Sequence, residues 1–594
     1  MISPMPFLPA TAEEMKKTGW DAPDIVLVTG DAYVDHPSFG MALLGRLLEA
    51  EGYRVAILAQ PAWTSPADFR RFGKPRLFFG VTSGNMDSMI NKYTHNRKIR
   101  SSDDFSPGGR PGLRPDRAAT VYAQRCREAY PGVPVVIGGI EASMRRFAHY
   151  DYWSDKVRRS VLLDSKADLL VYGMAETQVL EIARRLDAGE KPAALRDIRG
   201  TLYPLGASEA ESFPADAALR LPSYGEVASD RFKFAEAARV MHEETNPFSA
   251  RPLLEMTGKM AVVQNPPALP LSTTEMDRIY ALPFERRAHP SYKEPVPALE
   301  TVKDSVVIHR GCFGGCAFCS LGLHQGKFIQ ERSPGSVIAE VSALVSRPGH
   351  HGRISDLGAP SANMYGMRGK DAEMCKKCRR GSCLHPAVCP NLDVSHKALL
   401  GLLREARKVK GLKKAFVASG IRMDLALLCP DYIAEIAREH TGGQLKVAPE
   451  HISDRVLSIM RKPGSKALED FTAGFMKASK AAGKEQYLVH YFISAHPGST
   501  LEDMAELAVW LKERGIRPQQ INDFLPAPME LSTAIYYTGL DPFTMKPVYV
   551  PKKEKERRLQ RALLQYYKTE NRALVAEALR LVRRPDLSRK LLGR

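Results

Sequence analysis

No stretch of this 594-residue chain approaches the roughly 18 consecutive apolar residues of a membrane-spanning helix, so a helical membrane protein is not expected. Its first residues, Met1-Ile2-Ser3-Pro4-Met5-Pro6-Phe7, lack the basic stretch and apolar core of a secretory signal, which predicts a cytoplasmic protein. Cysteine is scarce at nine residues, and in a compartment that keeps thiols reduced these do not form a disulfide framework. Compositional bias is missing too: 44% hydrophobic and 26% charged residues are globular values, which excludes a disordered or fibrous chain. The length exceeds one ordinary domain of ~100–200 residues, so two or three are expected.

The charge is uneven. Lys and Arg number 85 against 67 Asp and Glu, a net +18, and residues 551–594 hold 14 basic and 5 acidic residues, half of that excess. Such a tail suits contact with nucleic acid or another acidic partner, although on charge alone a solvated helical face is the first expectation.

Two alternations of short apolar runs and helical patterns divide the chain. The first places strands at Asp24 to Thr29, Val55 to Leu58, Arg76 to Val81, Val133 to Ile137 and Asp168 to Tyr172, with a helix over Gly40 to Glu51. Buried strands with crossover helices predict an α/β, Rossmann- or flavodoxin-like parallel-sheet domain over residues 1–205. Its ligand edge would lie at Asp31, Asp35, His36 and Gly138-Gly139-Ile140-Glu141. Residues 206–300, with the breaker Gln264-Asn265-Pro266-Pro267-Ala268-Leu269-Pro270, read as a connector. From 301 to 540, strands at Ser305 to His309, Arg353 to Leu357, Lys414 to Ala418, Leu445 to Ala448, Tyr487 to Ile493 and Gln519 to Leu525 alternate with helices. The pattern predicts a partial (β/α)6, TIM-like barrel with a Cys-rich insertion at 361–392. Residues 541–594 read as a basic helical segment.

Seven cysteines fall in two groups. Cys312, Cys316 and Cys319 stand as Cys-Phe-Gly-Gly-Cys-Ala-Phe-Cys just after the first barrel strand, where that fold places chemistry. Gly311, Gly314 and Gly315 permit the tight loop that three thiolates need to reach one centre, zinc or iron–sulfur. On a four-iron cluster three ligands leave one iron open, which suits reactivity rather than simple electron carriage. Cys375, Cys378, Cys383 and Cys389 follow in the insertion. Four thiolates close a site completely, as structural zinc or a second iron–sulfur cluster, with His385 an alternative ligand and Lys376, Lys377, Arg379 and Arg380 placed to offset charge. Cys126 and Cys429 are isolated and read as core residues.

The Cys-x-x-x-Cys-x-x-Cys loop with Phe318 before its last cysteine resembles the signature of radical S-adenosylmethionine (radical SAM) enzymes. The wider pattern resembles the YgiQ family of these proteins. It comprises Asp35-His36-Pro37-Ser38-Phe39-Gly40, Gly138-Gly139-Ile140-Glu141-Ala142-Ser143, Gln264-Asn265-Pro266-Pro267, His289-Pro290-Ser291-Tyr292, Arg310-Gly311-Cys312, Asp356 through Gly366, Ala448-Pro449-Glu450-His451 and His496-Pro497-Gly498-Ser499-Thr500. The resemblance implies a 4Fe-4S cluster on Cys312, Cys316 and Cys319, with S-adenosylmethionine chelating the fourth iron. It also implies reductive cleavage to a 5′-deoxyadenosyl radical acting on an unspecified substrate, and a reducing partner such as flavodoxin or ferredoxin.

It further implies cofactor contacts from Gly358, in the Asp356-Leu357-Gly358 that stands where the superfamily often has two glycines and a glutamate, and from Glu450 to a ribose hydroxyl. Phe318 would flank adenine. A salt bridge for Glu450 and packing under the loop for Phe318 are the structural counterparts. The first domain resembles, in layout, the cobalamin-binding domains fused to some radical enzymes, but His36 and Gly40 do not fit their Asp-x-His-x-x-Gly spacing. Two alternatives accompany the radical reading. One is a cobalamin-dependent radical methyltransferase or an RNA-modifying, methylthiotransferase-like enzyme. The other, of a different class, is a non-catalytic metal- and nucleic-acid-binding protein.

Overall fold

A computed structural model describes residues 6–518 and 521–593. Nine strands of the first half form one sheet: β1 (Ile25–Thr29), β2 (Val55–Ala59), β3 (Phe78–Thr82), β4 (Val135–Ile137), β5 (Leu169–Val171), β6 (Thr201–Leu205), β7 (Leu219–Arg220), β8 (Leu253–Thr257) and β9 (Met260–Gln264). Their spatial order is β7-β8-β9-β6-β5-β4-β3-β1-β2. The five strands from β1 to β5 are parallel throughout. The β5–β6, β6–β9 and β8–β9 pairs are antiparallel.

Both faces of this sheet are covered, which explains the nearly unbroken apolar runs. Val26, Val28, Val81 and Ile137 enter one core together with Tyr122 and Cys126 of helix Ala118–Ala129. Ile25, Leu27, Phe78 and Val136 enter the other, against Leu48 of helix Gly40–Ala50 and Ile182 of helix Glu176–Asp187. The alternation follows from the two-residue side-chain period of a strand. The stretch expected as a connector, 206–300, is corrected here: β7, β8 and β9 extend the sheet to Gln264. The β8–β9 hairpin turns at Gly258, whose φ is +62°, and its position mid-sheet buries Glu255 at 1% exposure.

In the second half β10 (Ser305–Val307) pairs in parallel with β11 (Asp356–Gly358), and Arg353–Ile354 just before β11 pairs in parallel with β12 (Lys414–Ala415). The strands β13 (Gln444–Glu450), β14 (Tyr487–Ser494) and β15 (Ile521–Asp523) form a second parallel group. The strand expected over 519–525 begins on Gln519 and Gln520, which lie outside the described residues. Helices Pro334–Val345, Lys397–Ala406 and Ser465–Ala481 bury Val337, Val341, Leu399, Leu403, Phe471 and Phe475 in the core shared by these strands.

The C-terminal helices Glu554–Leu564, Arg572–Leu581 and Pro585–Leu592 pack on helix Leu501–Glu513 through Leu563, Leu579, Leu587 and Leu507. Part of the tail's basic charge is engaged within the fold. Arg584 meets Glu502 at 3.0 Å, Lys590 meets Glu513 at 2.9 Å, and Arg561 pairs with Asp523. Arg557 is buried and donates to the Tyr152 hydroxyl at 2.6 Å. Among the described residues no helix is long and apolar enough to cross a membrane.

Candidate active site

The Cys312 loop leaves the short strand His309–Arg310 and is tied on all sides. Gly311 has φ +86°, and a Cβ there would stand 2.1 Å from the Phe328 carbonyl oxygen. Gly315 has φ +62°, and its Cβ would stand 2.7 Å from the Gly381 carbonyl oxygen. Only glycine takes both the left-handed backbone and the close approach at no steric cost. Cys312 N–H donates to the Gly326 carbonyl at 3.0 Å, Ala317 N–H to Met460 at 3.0 Å, and Ser532 N–H to the Ala317 carbonyl at 2.9 Å.

The three thiols are held in one neighbourhood. Burial pushes the thiols of Cys312 and Cys319 up, and each is raised further by Cys316. Charge of the opposite sign faces them. An Arg422 guanidinium nitrogen lies 3.6 Å from the Cys316 sulfur, and the same side chain is anchored by Asp424 at 2.6 Å. Lys462 lowers Cys312 and stands 3.7 Å from the nearly buried Glu450. Ser320, next to Cys319, donates to the Glu530 carboxylate at 2.6 Å. Burial keeps that carboxyl well above the usual carboxylate range.

This donor set fits an anionic iron–sulfur cluster. Thiols that are costly to ionise alone become thiolates on iron, and Arg422 and Lys462 offset the added charge. Among the described residues no three His, Cys, Asp or Glu side chains stand at the spacing of ligands to one metal ion. A cluster does not ask for that spacing, because each thiolate binds a different iron.

The other expected residues are placed as follows. Gly358 ends β11, and a Cβ there would come within 2.0 Å of an Asp356 carboxylate oxygen and 2.2 Å of the Ser419 hydroxyl. Asp356 is held by the N–H groups of Ala418 and Ser419 at 2.8 and 3.1 Å. Glu450 ends β13 at φ +66° and makes a salt bridge, buried rather than at the surface, whose Lys462 cation opposes the upward push of burial. Phe318 meets His496 edge to face at 5.8 Å, the packing role. Of the second cysteine group, Cys383 and Cys389 pack in the same cluster as Cys312 and Phe313, and the segment is tied to the loop by Cys383 N–H donating to the Phe313 carbonyl at 3.0 Å and Ser382 Oγ to the Gly314 carbonyl at 2.7 Å.

Of the expected ligand edge, Asp31, Gly139 and Ile140 line a cavity. Asp35 is spent on Arg46, and Glu141 accepts from the Ser88 and Ala119 N–H groups. His36 is engaged at both nitrogens, with Ser38 N–H at 3.0 Å and Arg286 at 3.1 Å.

That cavity, about 520 Å³, opens between the carboxyl ends of β1, β3, β4 and β5 and the second half, where Val306, His309, Asp356, Gly358 and Ser419 line it. Beside it the buried Arg310 pairs with Glu176, joining the two halves. Asp31 pairs with Arg114 at 3.0 Å, yet burial still pushes its carboxyl up to about 6. His324, on the helix Ser320–Gln325 that follows the cysteine loop, borders both this cavity and a smaller one, about 140 Å³, lined by Cys312, Cys316 and Cys319. Burial lowers its imidazole to about 4, and its Nδ1 has no hydrogen-bond partner among the described residues.

Sequence reasoning missed Arg422, Lys462, Glu530 and His324. One signal was present: Ser419-Gly420-Ile421-Arg422 directly follows the third expected barrel strand, at the end where that fold puts chemistry.

Residues 7–305 match the family model described as Radical SAM N-terminal, 306–511 match the Radical SAM superfamily, and 519–590 match a domain of unknown function, DUF3362. The chain is a radical S-adenosylmethionine enzyme by its domain architecture. It is 51% identical to a UPF0313 protein of Rhodopseudomonas palustris over 98% of this chain and 90% of that one. It is 52% identical to one of Geobacter sulfurreducens over 99% and 97%. The UPF0313 protein YgiQ of Escherichia coli (strain K12) is 48% identical over 97% and 86%. The chain therefore belongs to the UPF0313 family, that of YgiQ. Among solved structures, the radical S-adenosylmethionine methyltransferase TsrM of Kitasatospora setae, with cobalamin and a [4Fe-4S] cluster bound, aligns at TM-score 0.47 and 15% identity over 86% of this chain and 74% of that one. The cobalamin-dependent S-adenosylmethionine radical enzyme OxsB aligns at 0.46 and 10%, over 86% and 55%. Overlap this loose carries no functional assignment.

Proposed function

We propose that Cys312, Cys316 and Cys319 hold a 4Fe-4S cluster and that the chain uses it on S-adenosylmethionine. When bound, the cluster supplies the electron that splits the sulfonium to methionine and a 5′-deoxyadenosyl radical, which takes hydrogen from a substrate. The observation that carries this reading is the gathering of three thiols on a glycine-constrained loop with Arg422 aimed at Cys316. The chain's own residues set the site. Arg422 and Lys462 balance negative charge, the missing side chain at Gly358 lets the Asp356 carboxylate and the Ser419 hydroxyl close against the backbone, and Glu450 would accept from a ribose hydroxyl on giving up Lys462. The parallel order β2-β1-β3-β4-β5 supports a flavodoxin-like first domain, and the parallel groups β10–β12 and β13–β15 support a partial barrel after it. The test is iron content and visible absorption of anaerobically purified protein. Each of Cys312→Ala, Cys316→Ala and Cys319→Ala is expected to lose one cluster, and unchanged iron in all three contradicts the assignment.

A second reading, cobalamin-dependent radical methyl transfer, is supported by the 520 Å³ cavity at the carboxyl edge of the parallel strands, beyond which doubly wound sheets bind ligands. The space faces the strand ends of the second half, and the neutral His324 imidazole faces it. Titration with hydroxocobalamin tests it. A saturable spectral change supports the reading, and no retention after gel filtration counts against it.

A further inference from the structure

We propose that Arg146 forms an anion-binding subsite in the small cavity beside the cysteine loop and receives a carboxylate or phosphate of the substrate; its service to a substrate rests on the function proposed above.

Arg146 stands just past the short helix Gly139–Met144, beyond the carboxyl end of β4, and is 5% exposed. Neutral groups hold it. Its Nε donates to Gln264 Oε1 at 2.6 Å, and its Nη1 to the Ser143 carbonyl at 2.6 Å and the Met529 sulfur at 2.7 Å. The guanidinium carbon lies 4.7 Å from the centre of the Tyr172 ring. A guanidinium has five N–H donors, so these bonds leave the two on Nη2, which have no acceptor among the described residues. Burial pushes the group down to about 10, opposed by Tyr172 and by no carboxylate, so it is still a cation at neutral pH. A buried charge is costly unless it is paired, and an arriving oxyanion supplies the pair.

The charge around the cavity is lopsided in the same sense. Arg146 and Tyr172 line it from the first half, and Cys312, Cys316 and Cys319 from the second. Two more cations stand on its wall: Arg461, over the Phe543 ring at 4.7 Å, and Lys327, which donates to the carbonyls of Cys378 and Arg380 at 3.1 and 2.9 Å. Its two carboxylates are taken by cations elsewhere, Glu176 by Arg310 and Glu244 by Arg251, the latter at 2.6 Å. Glu530, next to Met529, turns to Ser320 at 2.6 Å and is kept neutral by burial. No carboxylate is thus left to Arg146 among the described residues, and hydrogen bonds from an ionised donor to an oxyanion are the strong kind.

Position separates this anion from the cluster and from S-adenosylmethionine. None of the groups that Arg146 holds belongs to the cysteine loop, where Arg422 and Lys462 already face the thiols. Of the expected cofactor contacts, Gly358 lines the larger cavity and Glu450 pairs with Lys462. At about 140 Å³ the space is below the roughly 300–1,000 Å³ of sites that enclose a whole drug-sized molecule, so it takes the acid end of one. The remainder has room in the 520 Å³ cavity, which shares Gly173, Met174, Glu176, His324 and Gln325 as walls. A substrate anchored at Arg146 would turn the carbons next to its acid group toward the cysteine loop.

The test follows the phosphorus resonance of inorganic phosphate and the carboxyl carbon resonance of labelled propionate, with the full chain purified anaerobically in low-chloride buffer. Saturable broadening is expected for at least one of them, and the tighter binder names the acid group. Arg146→Gln should weaken that binding roughly tenfold or more, because it removes the cation and its two free donors. Arg146→Lys keeps a cation and should lie between the two, which preserves the test if the Gln variant does not fold. S-adenosylmethionine, measured by calorimetry, should bind Arg146→Gln as it binds the wild type. No saturable broadening in the wild type overturns the proposal, and so does equal broadening in the wild type and both variants, which puts the anion elsewhere on this basic chain. Loss of S-adenosylmethionine binding by an Arg146→Gln protein that keeps its iron assigns the cation to the cofactor and overturns it too. Iron keeps the two failures apart: a wild type without iron that still binds the anion through Arg146 refutes the cluster and leaves the subsite, whereas iron-replete protein that binds neither anion refutes the subsite alone.

Discussion

Alanine at Gly315 and at Gly314 should have very different consequences, although the residues are neighbours on the same loop. At Gly315 the left-handed φ of +62° costs a side chain about 1–2 kcal/mol. The 2.7 Å approaches of its Cβ to the Gly381 oxygen and the Ser382 Cβ add about 1–3 kcal/mol of overpacking, because the obstruction is partly backbone. The sum is about 2–5 kcal/mol. At Gly314 the nearest atoms are Arg422 Nη1 and Cys312 Sγ, both at 3.4 Å and both on side chains, so Gly314→Ala should cost under about 1 kcal/mol. A chain of this size need not unfold in one step, so a local measurement is preferable. Hydrogen exchange over residues 312–320 and 381–384 should speed up roughly 30-fold to several-thousand-fold in Gly315→Ala, at tenfold per 1.4 kcal/mol. Gly314→Ala should stay within about fivefold of the wild type. Equal exchange in the two variants would refute the reasoning from backbone angle and contact.

Three further outcomes follow. Removing one partner of the buried Arg310–Glu176 pair, as Arg310→Met or Glu176→Gln, should destabilise by about 3–5 kcal/mol in denaturant titration, and Arg310→Met with Glu176→Met should recover much of it. Glu255 has its carboxyl pushed up to about 8 by burial, with only the Ala148 N–H opposing. The sign is that of a raised acid: the stability it contributes is complete below its unfolded value near 4.5 and is lost as pH rises through 8. Glu255→Gln should therefore gain roughly 2–5 kcal/mol over the wild type at pH 8, shrinking toward pH 5. His242, His309 and His324 are held at about 4 by burial, so their contribution is present above about 6.5 and is lost as pH falls toward 4. Chemical denaturation at pH 7, 6 and 5 should show that decline, and a flat profile would contradict it.

The sheet strands were legible where one residue type filled both faces, as in Ile25–Thr29, because a strand covered on both sides needs no alternation. The β8–β9 hairpin was not, although Leu253-Leu254 and Ala261-Val262-Val263 flank the glycine turn at Gly258. Glu255 breaks the apolar run, and nothing local shows that a neighbouring strand will bury it. At the site, the cysteine spacing was readable because one loop carries all three thiols. Arg422 had only its place after the third expected strand to mark it, and Lys462, just past the helix Asp454–Met460, had nothing local; only the folded chain brings them to sulfur. For the same reason two cysteine groups more than 50 residues apart read as independent, yet the Phe313 and Gly314 carbonyls bind the second to the first.

The central claim is tested most directly by incubating the reconstituted, dithionite-reduced chain with S-adenosylmethionine under anaerobic conditions and separating the products. Formation of 5′-deoxyadenosine and methionine, absent in Cys316→Ala, is the predicted result. S-adenosylhomocysteine as the sole product, or no cleavage by protein shown to carry its full complement of iron, would contradict it.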